Sequence, residues 1–373
     1  MFDFLKPKGA QPMAHVTEAQ VLDALRKIQD PDFKKDIVTL GFVKNLKIDG
    51  GKVAFTIELT TPACPVKAEF ERAAKENVGA IAGVTEVAVT MTANVQAHAT
   101  QKGKELIPGV KNVVAVASGK GGVGKSTTAV NLALALAQSG AKVGILDADI
   151  YGPSIPQMLG ISGRPDTKDG KTLEPMENYG IKAMSIGFLV PDDTPMIWRG
   201  PMVMSALNQL LRDTNWGELD YLVVDLPPGT GDAQLSLAQQ VPVTGAVIVS
   251  TPQEVALLDV RKGVNMFRKV EVPILGIVEN MAYFVCDGCD KRHYIFDHGG
   301  AHKAADSFGV PFLGEVPLVP EVREDADAGR PIVIANPDSP VSQAYRDIAG
   351  QVAAQISKMQ KDYASLFPKI VVH

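Results

Sequence analysis

The glycine-rich stretch at residues 119–127 has the residue types and spacing of a phosphate-binding loop. Residues 119–126 fit the pattern G-x-x-x-x-G-K-[ST], in which backbone N–H groups surround an anion. In this pattern the lysine contacts the β and γ phosphates and the serine binds Mg²⁺. The stretch therefore predicts a site for a nucleoside triphosphate. Its predicted nucleotide-binding residues are Gly119, Lys120, Gly121, Gly122, Val123, Gly124, Lys125, Ser126 and Thr127.

Two apolar segments end in acidic residues, as strands do when they bring carboxylates to a binding site. Residues 144–146 are followed by Asp147 and Asp149, which lie at alternate positions and can both project towards the phosphate site. Residues 221–224 are followed by Asp225, the form of a Walker B segment that holds Mg²⁺ through a carboxylate. Asp225 and the loop serine are therefore the predicted Mg²⁺ ligands.

The sequence contains three cysteines, which are too few for a disulfide framework and better suited to metal or thiolate chemistry. Cys286 and Cys289 have C-x-x-C spacing in a polar turn, from which two sulfur atoms can face one metal. Three interpretations compete: half of a metal site, a redox dithiol, and a zinc site completed by His293 and His298. No thioredoxin-like helix start surrounds the pair, and the zinc site would be tighter than an ordinary finger.

The third cysteine, Cys64, lies between Pro62 and Pro65 at a predicted turn from a strand to a helix. The dipole of a helix N-terminus favours a nearby thiolate, so this position predicts a reactive thiol. The alternative is a partly buried small side chain without chemistry. Spacing alone leaves both interpretations open.

Apolar runs that alternate with helical patterns predict the scaffold for these groups. The predicted strands are apolar throughout, as in sheets covered on both faces. They span residues 113–117, 143–146, 181–186, 221–224, 246–249 and 274–278. A helical pattern follows the loop, and another spans about 339–367. We therefore expect an α/β fold with a mostly parallel, doubly wound sheet and ligands at the carboxyl ends of its strands.

The N-terminal part of the sequence predicts a separate, small α+β domain. Thr17 and Gln20 have the spacing of a capping box that begins a helix, and Asp30-Pro31 ends it. The remaining predicted elements are a hairpin from runs 43–48 and 52–59, a helix at 66–77 and a strand at 84–90. The expected domains are a flexible tail (1–15), the α+β domain (16–92), a linker (93–110) and the phosphate-loop domain (111–373).

Composition limits the classes of function. The chain has 373 residues, a formal net charge of -5, a pI near 5.7 and a mean hydropathy of +0.06, values typical of a globular protein. The acidic balance disfavours a nucleic-acid partner. No charge-free apolar run approaches the roughly 18 to 20 residues of a membrane span, and the first residues lack the apolar core of a signal peptide. We expect a cytoplasmic protein without stable membrane insertion.

Lys120 is a second lysine inside the loop, where phosphate binding needs only one. The sequence K-G-G-V-G-K-S resembles the deviant phosphate loop of the MinD, ParA, arsenite-pump and nitrogenase iron-protein group. The resemblance implies that Lys120 reaches across a nucleotide-sandwich homodimer to the partner's phosphates, as an arginine finger does. D-A-D-I-Y-G-P-S resembles the first switch region, which implies that Asp149 orients the attacking water. The implied catalytic residues are Lys120, Lys125 and Asp149.

Further segments are similar to the Mrp/ApbC family of iron-sulfur cluster carriers. They are D-L-P-P-G-T-G-D from 225, S-T-P-Q-E-V-A-L-L-D from 250, V-E-N-M from 278 and the C-x-x-C segment. The resemblance implies that ATP is the nucleotide and that Asn280 contacts adenine. It also implies a [4Fe-4S] cluster at the homodimer interface, ligated by Cys286 and Cys289 of both chains. Asp297 stands where the family usually has glycine, which places a charge near the cysteines.

The N-terminal domain has its own resemblance. D-P-D near the end of the first helix and T-T-P-A-C-P around Cys64 resemble the small iron-sulfur-assembly domain, which implies a functional Cys64 without assigning it as a ligand. Together the resemblances imply an ATP-hydrolysing carrier that receives a cluster from an assembly scaffold and transfers it to apo iron-sulfur proteins. The alternative is a MinD- or ParA-like switch ATPase for spatial organisation, which gives no reason for the cysteine pair.

Overall fold

The computed structural model describes residues 15–97, 107–168, 170–190 and 200–366. Contacts divide the chain into two units, one of Met1–Thr60 with Cys64–Asn94 and one of Thr61–Ala63 with Val95–His373. Each unit has its own hydrophobic core. Apart from residue 15, the predicted tail lies outside the described residues, and so does half of the predicted linker, residues 98–106.

The N-terminal unit is a small α+β fold. The predicted capping box is present, because the Thr17 side chain accepts from the Gln20 N–H and the Gln20 side chain accepts from the Thr17 N–H. The sheet order is β3-β4-β5, with β3 and β4 forming the predicted antiparallel hairpin and β5 parallel to β4. The elements are α1 (Glu18–Leu25), β1 (Gln29–Asp30), β2 (Lys35–Asp36), β3 (Val43–Asp49), β4 (Lys52–Leu59), α2 (Lys67–Gly79) and β5 (Glu86–Ala93).

The second unit is organised by one large sheet of eight strands in the described residues. Its order is β15-β12-β11-β6-β10-β7-β9-β8, and all neighbours are parallel except β8 and β9. The strands are β6 (Val110–Ser118), β7 (Val143–Asp147), β8 (Met176–Asn178), β9 (Ile181–Ser185), β10 (Leu219–Asp225), β11 (Gly245–Ser250), β12 (Ile274–Asn280) and β15 (Phe312–Val316). The expected mostly parallel α/β sheet is thus confirmed.

Helices cover this sheet and separate its strands along the chain. They are α3 (Lys125–Gln138), α4 (Ile155–Met158), α5 (Gly200–Arg212), α6 (Asp232–Gln240), α7 (Glu254–Lys269), α8 (Gly300–Phe308), α9 (Pro320–Asp327), α10 (Ile332–Ala335) and α11 (Pro340–Leu366). The residues of α3 are almost all buried because this helix lies between the sheet and α11. None of the described helices is both long and apolar enough to cross a bilayer.

Four strands of the second unit were absent from the sequence prediction. They are β8, β15 and the two strands of a hairpin, β13 (Phe284–Val285) and β14 (Arg292–His293). β15 lies at an edge of the sheet and includes Gly314 and Glu315, which interrupt the apolar pattern. The predicted strand at 181–186 ends one residue early, because the Ser185 hydroxyl accepts from the Gly187 N–H and starts a short 3-10 helix.

Candidate nucleotide site and cysteine hairpin

The phosphate-loop pattern lies between β6 and α3, at the carboxyl edge of the large sheet. It lines a cleft of about 230 Å³ that is open to solvent. The cleft is lined by Ser118, Lys120, Gly121, Gly122, Gly124, Lys125, Ser126, Thr127, Asp149, Ser154, Met158 and Pro228. The structure therefore brings Asp149 to the same cleft as most of the predicted loop residues. The predicted metal-binding cysteines do not line it.

A buried ion pair lies at the base of this cleft. Lys125 Nζ lies 2.6 Å from Asp225 Oδ1, and the two side chains are 6% and 0% exposed. Burial raises the pKa of Asp225, and the adjacent ammonium of Lys125 opposes that change. The other carboxylate oxygen, Asp225 Oδ2, is buried and accepts no hydrogen bond from the described residues. An oxygen of this kind, close to the hydroxyl of Ser126, fits the oxygen ligands that Mg²⁺ prefers.

Asp147 holds the segment that carries Asp149. Its two oxygens accept hydrogen bonds from the backbone N–H groups of Asp149, Ser154 and Ile155 and from the Ser185 hydroxyl, at 3.0 to 3.2 Å. Burial, and then the negative charge of Asp225, raise the pKa of Asp147 to about 7. Burial also raises the pKa of Asp149, and the positive charge of Lys125 opposes this rise. Asp147 is therefore structural at this site, while Asp149 reaches the cleft.

Asn280 supports the phosphate loop from the end of β12. Its Nδ2 donates to the backbone oxygen of Val123 at 2.8 Å, and the residue is 6% exposed. Gly124 has φ of +81°, and a Cβ there would overlap Asn280 Nδ2. The loop therefore needs glycine at 124 for both backbone conformation and space. The contact of Asn280 with adenine stays a prediction.

Lys120 is the loop lysine without an ion-pair partner among the described residues. Its backbone oxygen accepts from the Ser118 hydroxyl at 2.8 Å, which fixes the start of the loop. The side chain is partly exposed at the cleft, in contrast to the buried and paired Lys125. An ammonium in this position is available to an anion in the cleft, and the action of Lys120 in trans stays a prediction.

The C-x-x-C pair lies in the turn of the β13–β14 hairpin. The Cys286 backbone oxygen accepts from the N–H groups of Cys289 and Asp290, which wraps the turn around the first cysteine. Cys286 is partly exposed and Cys289 is exposed. The N–H of Gly288, and then the Cys289 thiol, lower the pKa of Cys286. Both thiols are therefore accessible, and one of them is biased towards the thiolate that binds metals.

A complete metal site within one chain is absent from the described residues, because no group of three or more His, Cys, Asp and Glu side chains is placed to hold an ion. The two histidines proposed for a zinc site have other positions. His293 pairs with Phe284 across the hairpin, whereas the His298 ring lies tilted against Tyr294 and 3.4 Å from Glu315. The interpretation as an in-chain zinc site is therefore wrong for this arrangement.

Cys64 lies at the start of α2, as the sequence predicted, but its environment does not favour a thiolate. α2 begins at Lys67 after an N-cap at Val66, and the Cys64 backbone oxygen accepts from the Lys67 N–H at 3.2 Å. Burial raises the pKa of Cys64 to about 11, and the negative charges of Asp30 and Asp32 raise it further, against the Val66 N–H. Of the two interpretations, the partly buried side chain agrees with this environment, and a function for Cys64 stays a prediction.

Comparison with known proteins agrees with this combination of cleft and hairpin. The family described as NUBPL iron-transfer P-loop NTPase matches residues 109–353. The chain belongs to this family. A second family, described as iron-sulfur cluster assembly protein, matches residues 18–89. The family resemblances expected from the sequence are therefore confirmed.

Several relatives of this NTPase share most of the length of the chain. The iron-sulfur cluster carrier protein of Synechocystis sp. is 49% identical over 92% of this chain and 98% of the relative. The carrier protein of Escherichia coli K12 is 48% identical over 91% of this chain and 92% of the relative. A nucleotide-binding protein from Archaeoglobus fulgidus, solved in complex with ADP, is 41% identical with a TM-score of 0.56 over 64% of this chain and 93% of its own.

Glu279 is a residue of this NTPase domain that the sequence analysis did not single out. It is 0% exposed at the end of β12, and its carboxylate accepts from the backbone N–H groups of Gly299 and Ala301. The available signal was an acidic residue at the end of an otherwise apolar strand, next to Asn280. Charged side chains are almost never fully buried unless they have partners, so this position indicated a specific contact.

Proposed function

We propose that this chain is an ATP-hydrolysing iron-sulfur cluster carrier that acts as a homodimer. One [4Fe-4S] cluster would be its cargo, bound by Cys286 and Cys289 of both chains, received from an assembly scaffold and passed to apo iron-sulfur proteins. The observation that supports this most strongly is the exposed cysteine pair, which has two thiols and no further ligand nearby among the described residues. Two such pairs supply the four thiolates that a [4Fe-4S] cluster requires.

The cleft supports ATP as the nucleotide, with Mg²⁺ held by Ser126 and Asp225. The orphaned Asp225 Oδ2 and the nearby serine hydroxyl fit an oxygen-ligated ion, which would neutralise phosphate charge. Lys125 is buried where it can contact phosphates, and Asp149 reaches the cleft where it can orient water. Lys120 would complete the site of the partner in trans, supplying positive charge where the transition state is negative.

The relatives support the same proposal, since they are named iron-sulfur cluster carrier proteins and align over nearly the whole chain. A MinD- or ParA-like switch shares the cleft but leaves the accessible cysteine pair without a role. The acidic net charge supports a function without nucleic acid. A cytoplasmic location stays a prediction from the sequence.

The decisive experiment measures iron, sulfide and zinc per chain after anaerobic reconstitution, with the mass of the assembly. The parent should hold about two irons and two sulfides per chain as a dimer, the share of one four-iron cluster. Cys286→Ala and Cys289→Ala should each lose them, whereas the matched control Cys64→Ala should keep them. Stoichiometric zinc, or retention of iron in both hairpin variants, would contradict the proposal. MgATP hydrolysis by a dimer that binds neither iron nor zinc would favour the switch ATPase.

Hydrolysis has its own test in phosphate release from MgATP. Lys120→Ala should bind nucleotide and lose turnover, while Lys142→Ala, outside the cleft, should keep it. Mixing Lys120→Ala with Asp149→Ala chains should restore part of the rate if lysine acts in trans, because mixed dimers then contain one intact site. Failure of every mixture to recover would count against the homodimer mechanism.

A further inference from the structure

The segment that contains the cysteine pair leaves and returns to the same place in the fold. It leaves β12 after Asn280, passes through the β13–β14 hairpin and returns to the start of α8 at Gly300. The backbone of the outgoing part is held by β15 and the residues after it, since Ala282 N–H donates to the Val316 oxygen and Leu318 N–H donates to the Tyr283 oxygen. The returning part is held differently, by a side chain.

That side chain is Glu279. Its Oε1 accepts from the Gly299 N–H at 3.0 Å and its Oε2 accepts from the Ala301 N–H at 2.7 Å. Between these two residues, Gly300 lies so close to the Pro252 backbone oxygen that a Cβ would overlap it. The end of the cysteine segment is therefore fixed at three consecutive residues, of which Gly299 and Gly300 are partly buried and Ala301 is buried.

A carboxylate is the group that this geometry requires. Two N–H donors approach its two oxygens, and an ionised carboxylate offers acceptors only. A glutamine would accept one of these hydrogen bonds and place its own NH₂ group against the other N–H. An unsatisfied buried donor is costly, so the substitution would loosen the return of the segment without changing its volume.

The adjacent residue connects the same strand end to the phosphate loop. Successive side chains of a strand project to opposite faces, so Glu279 and Asn280 face different neighbours. Asn280 donates to Val123 inside the loop, and Glu279 accepts from the residues that end the cysteine segment. A displacement of the phosphate loop therefore acts on Asn280. The preceding residue, Glu279, holds the end of the segment that contains the cysteine hairpin.

We infer that Glu279 is a positioning residue that couples the phosphate loop to the cysteine hairpin, so that nucleotide binding changes the reactivity of Cys286 and Cys289. The inference rests on the proposed function and specifies how one site controls the other. Such coupling requires that nucleotide binding shifts a contact of the phosphate loop, and that this shift changes the surroundings of the two thiols. Asn280 and Glu279 are adjacent, so one strand end makes both contacts.

The test measures how fast each cysteine of the full, metal-free chain reacts with iodoacetamide, resolved by peptide mass, with and without Mg²⁺ and a non-hydrolysable ATP analogue. The parent should show a nucleotide-dependent change of about fivefold or more at Cys286 and Cys289, in the range of measured coupling energies. Cys64 provides an internal control in the same sample. Glu279→Gln should bring the ratio close to one while its affinity for the analogue stays as in the parent.

The matched control is Glu315→Gln. Glu315 is the register partner of Glu279 on β15, but its side chain is 29% exposed and contacts His298 rather than backbone. It should keep the response of the parent. A parent without any nucleotide effect, a normal ratio in Glu279→Gln, or equal loss in both variants would each overturn the inference.

Hydrogen exchange supplies a second readout that does not depend on a variant. The amides of Gly299 and Ala301 in the parent should change protection when the analogue binds, because they are the donors to Glu279. Unchanged protection at both amides would also overturn the inference. Neither measurement uses iron, so a failure of cluster binding, seen separately by metal analysis, is distinguishable from a failure of coupling.

Discussion

The cleft and the cysteine hairpin belong to one domain but are built in opposite ways. The cleft contains buried charged side chains that have partners inside the chain. Lys125 pairs with Asp225, and Asp147 accepts four hydrogen bonds. The hairpin has two-residue strands and accessible thiols, with no further metal ligand grouped near them in the described residues. The difference is that the charged groups of the cleft have their partners within the chain, whereas the thiols have no further ligand grouped with them among the described residues.

The largest expected contrast is in stability. Asp225→Ala leaves the Lys125 charge buried without its partner, which should reduce the free energy of unfolding of the second unit by about 3–5 kcal/mol. The double variant Cys286→Ala/Cys289→Ala should unfold at the same urea concentration as the parent, because little packing is lost at an exposed turn. Urea titration followed by circular dichroism measures both. Equal destabilisation in the two variants would remove the distinction between the regions.

A second contrast is in pH dependence. The pKa of Asp147 is raised to about 7 in the fold, above its value of 3.8 in the unfolded chain, so the folded state binds the extra proton between these pH values. The contribution of this group to the free energy of unfolding is therefore fully present below pH 4. It is lost as pH rises towards 7, and the loss is about 4 kcal/mol at most. Urea midpoints at pH 5, 6, 7 and 8 should fall less steeply for Asp147→Asn. Parallel slopes in the two proteins would contradict the assignment.

The cysteines allow a contrast within one residue type. The pKa of Cys64 is raised to about 11 and that of Cys286 is lowered, so Cys64 should alkylate much more slowly than Cys286 at pH 7.5, because each unit of pKa changes the thiolate fraction about tenfold. Peptide-resolved alkylation in the absence of nucleotide gives all three rates. In urea the three should become similar, and persistence of the difference there would show that burial is not its cause.

The smallest expected effect concerns Asp297. Its φ of +77° lies in the left-handed region, and its own carboxylate accepts from the His298 N–H at 2.8 Å. Aspartate tolerates this conformation better than most residues, so Asp297→Gly should change the free energy of unfolding by no more than about 1 kcal/mol. Asp297→Val should lower stability by more, since a β-branched residue is strained there. Thermal unfolding of the two variants distinguishes them.

The strands in the interior of the sheet could be predicted from the sequence, because short uninterrupted apolar runs such as 113–117 are typical of strands buried on both faces. The prediction missed β15, where Gly314 and Glu315 interrupt the apolar run. It also missed the β13–β14 hairpin, whose two-residue strands are too short to show an alternating pattern. It placed Asp149 and the loop residues on a common edge, which is where the structure has them. Their roles in turnover stay predictions.

Environment could not be read from spacing in the same way. Cys64 follows a pattern suited to a thiolate, yet the pKa of its thiol depends on how much of the chain covers it and on two aspartates that are distant in sequence. Asp147 and Asp149 have equivalent positions in a motif, but only the former is enclosed by donors from three segments. Such differences arise from tertiary packing, which a local pattern does not encode.

The closure of the cysteine segment by Glu279 also bears on how this domain can diversify. A loop whose two ends are fixed tolerates changes of length between them at low cost, because closure entropy grows slowly with length. Residues 284–298 lie between these two fixed ends, so we expect them to accept changes of length and sequence while the nucleotide-binding sheet keeps its structure. Replacement of these residues by another ligand set would give a nucleotide-binding protein with a different cargo, without redesign of the sheet beneath it.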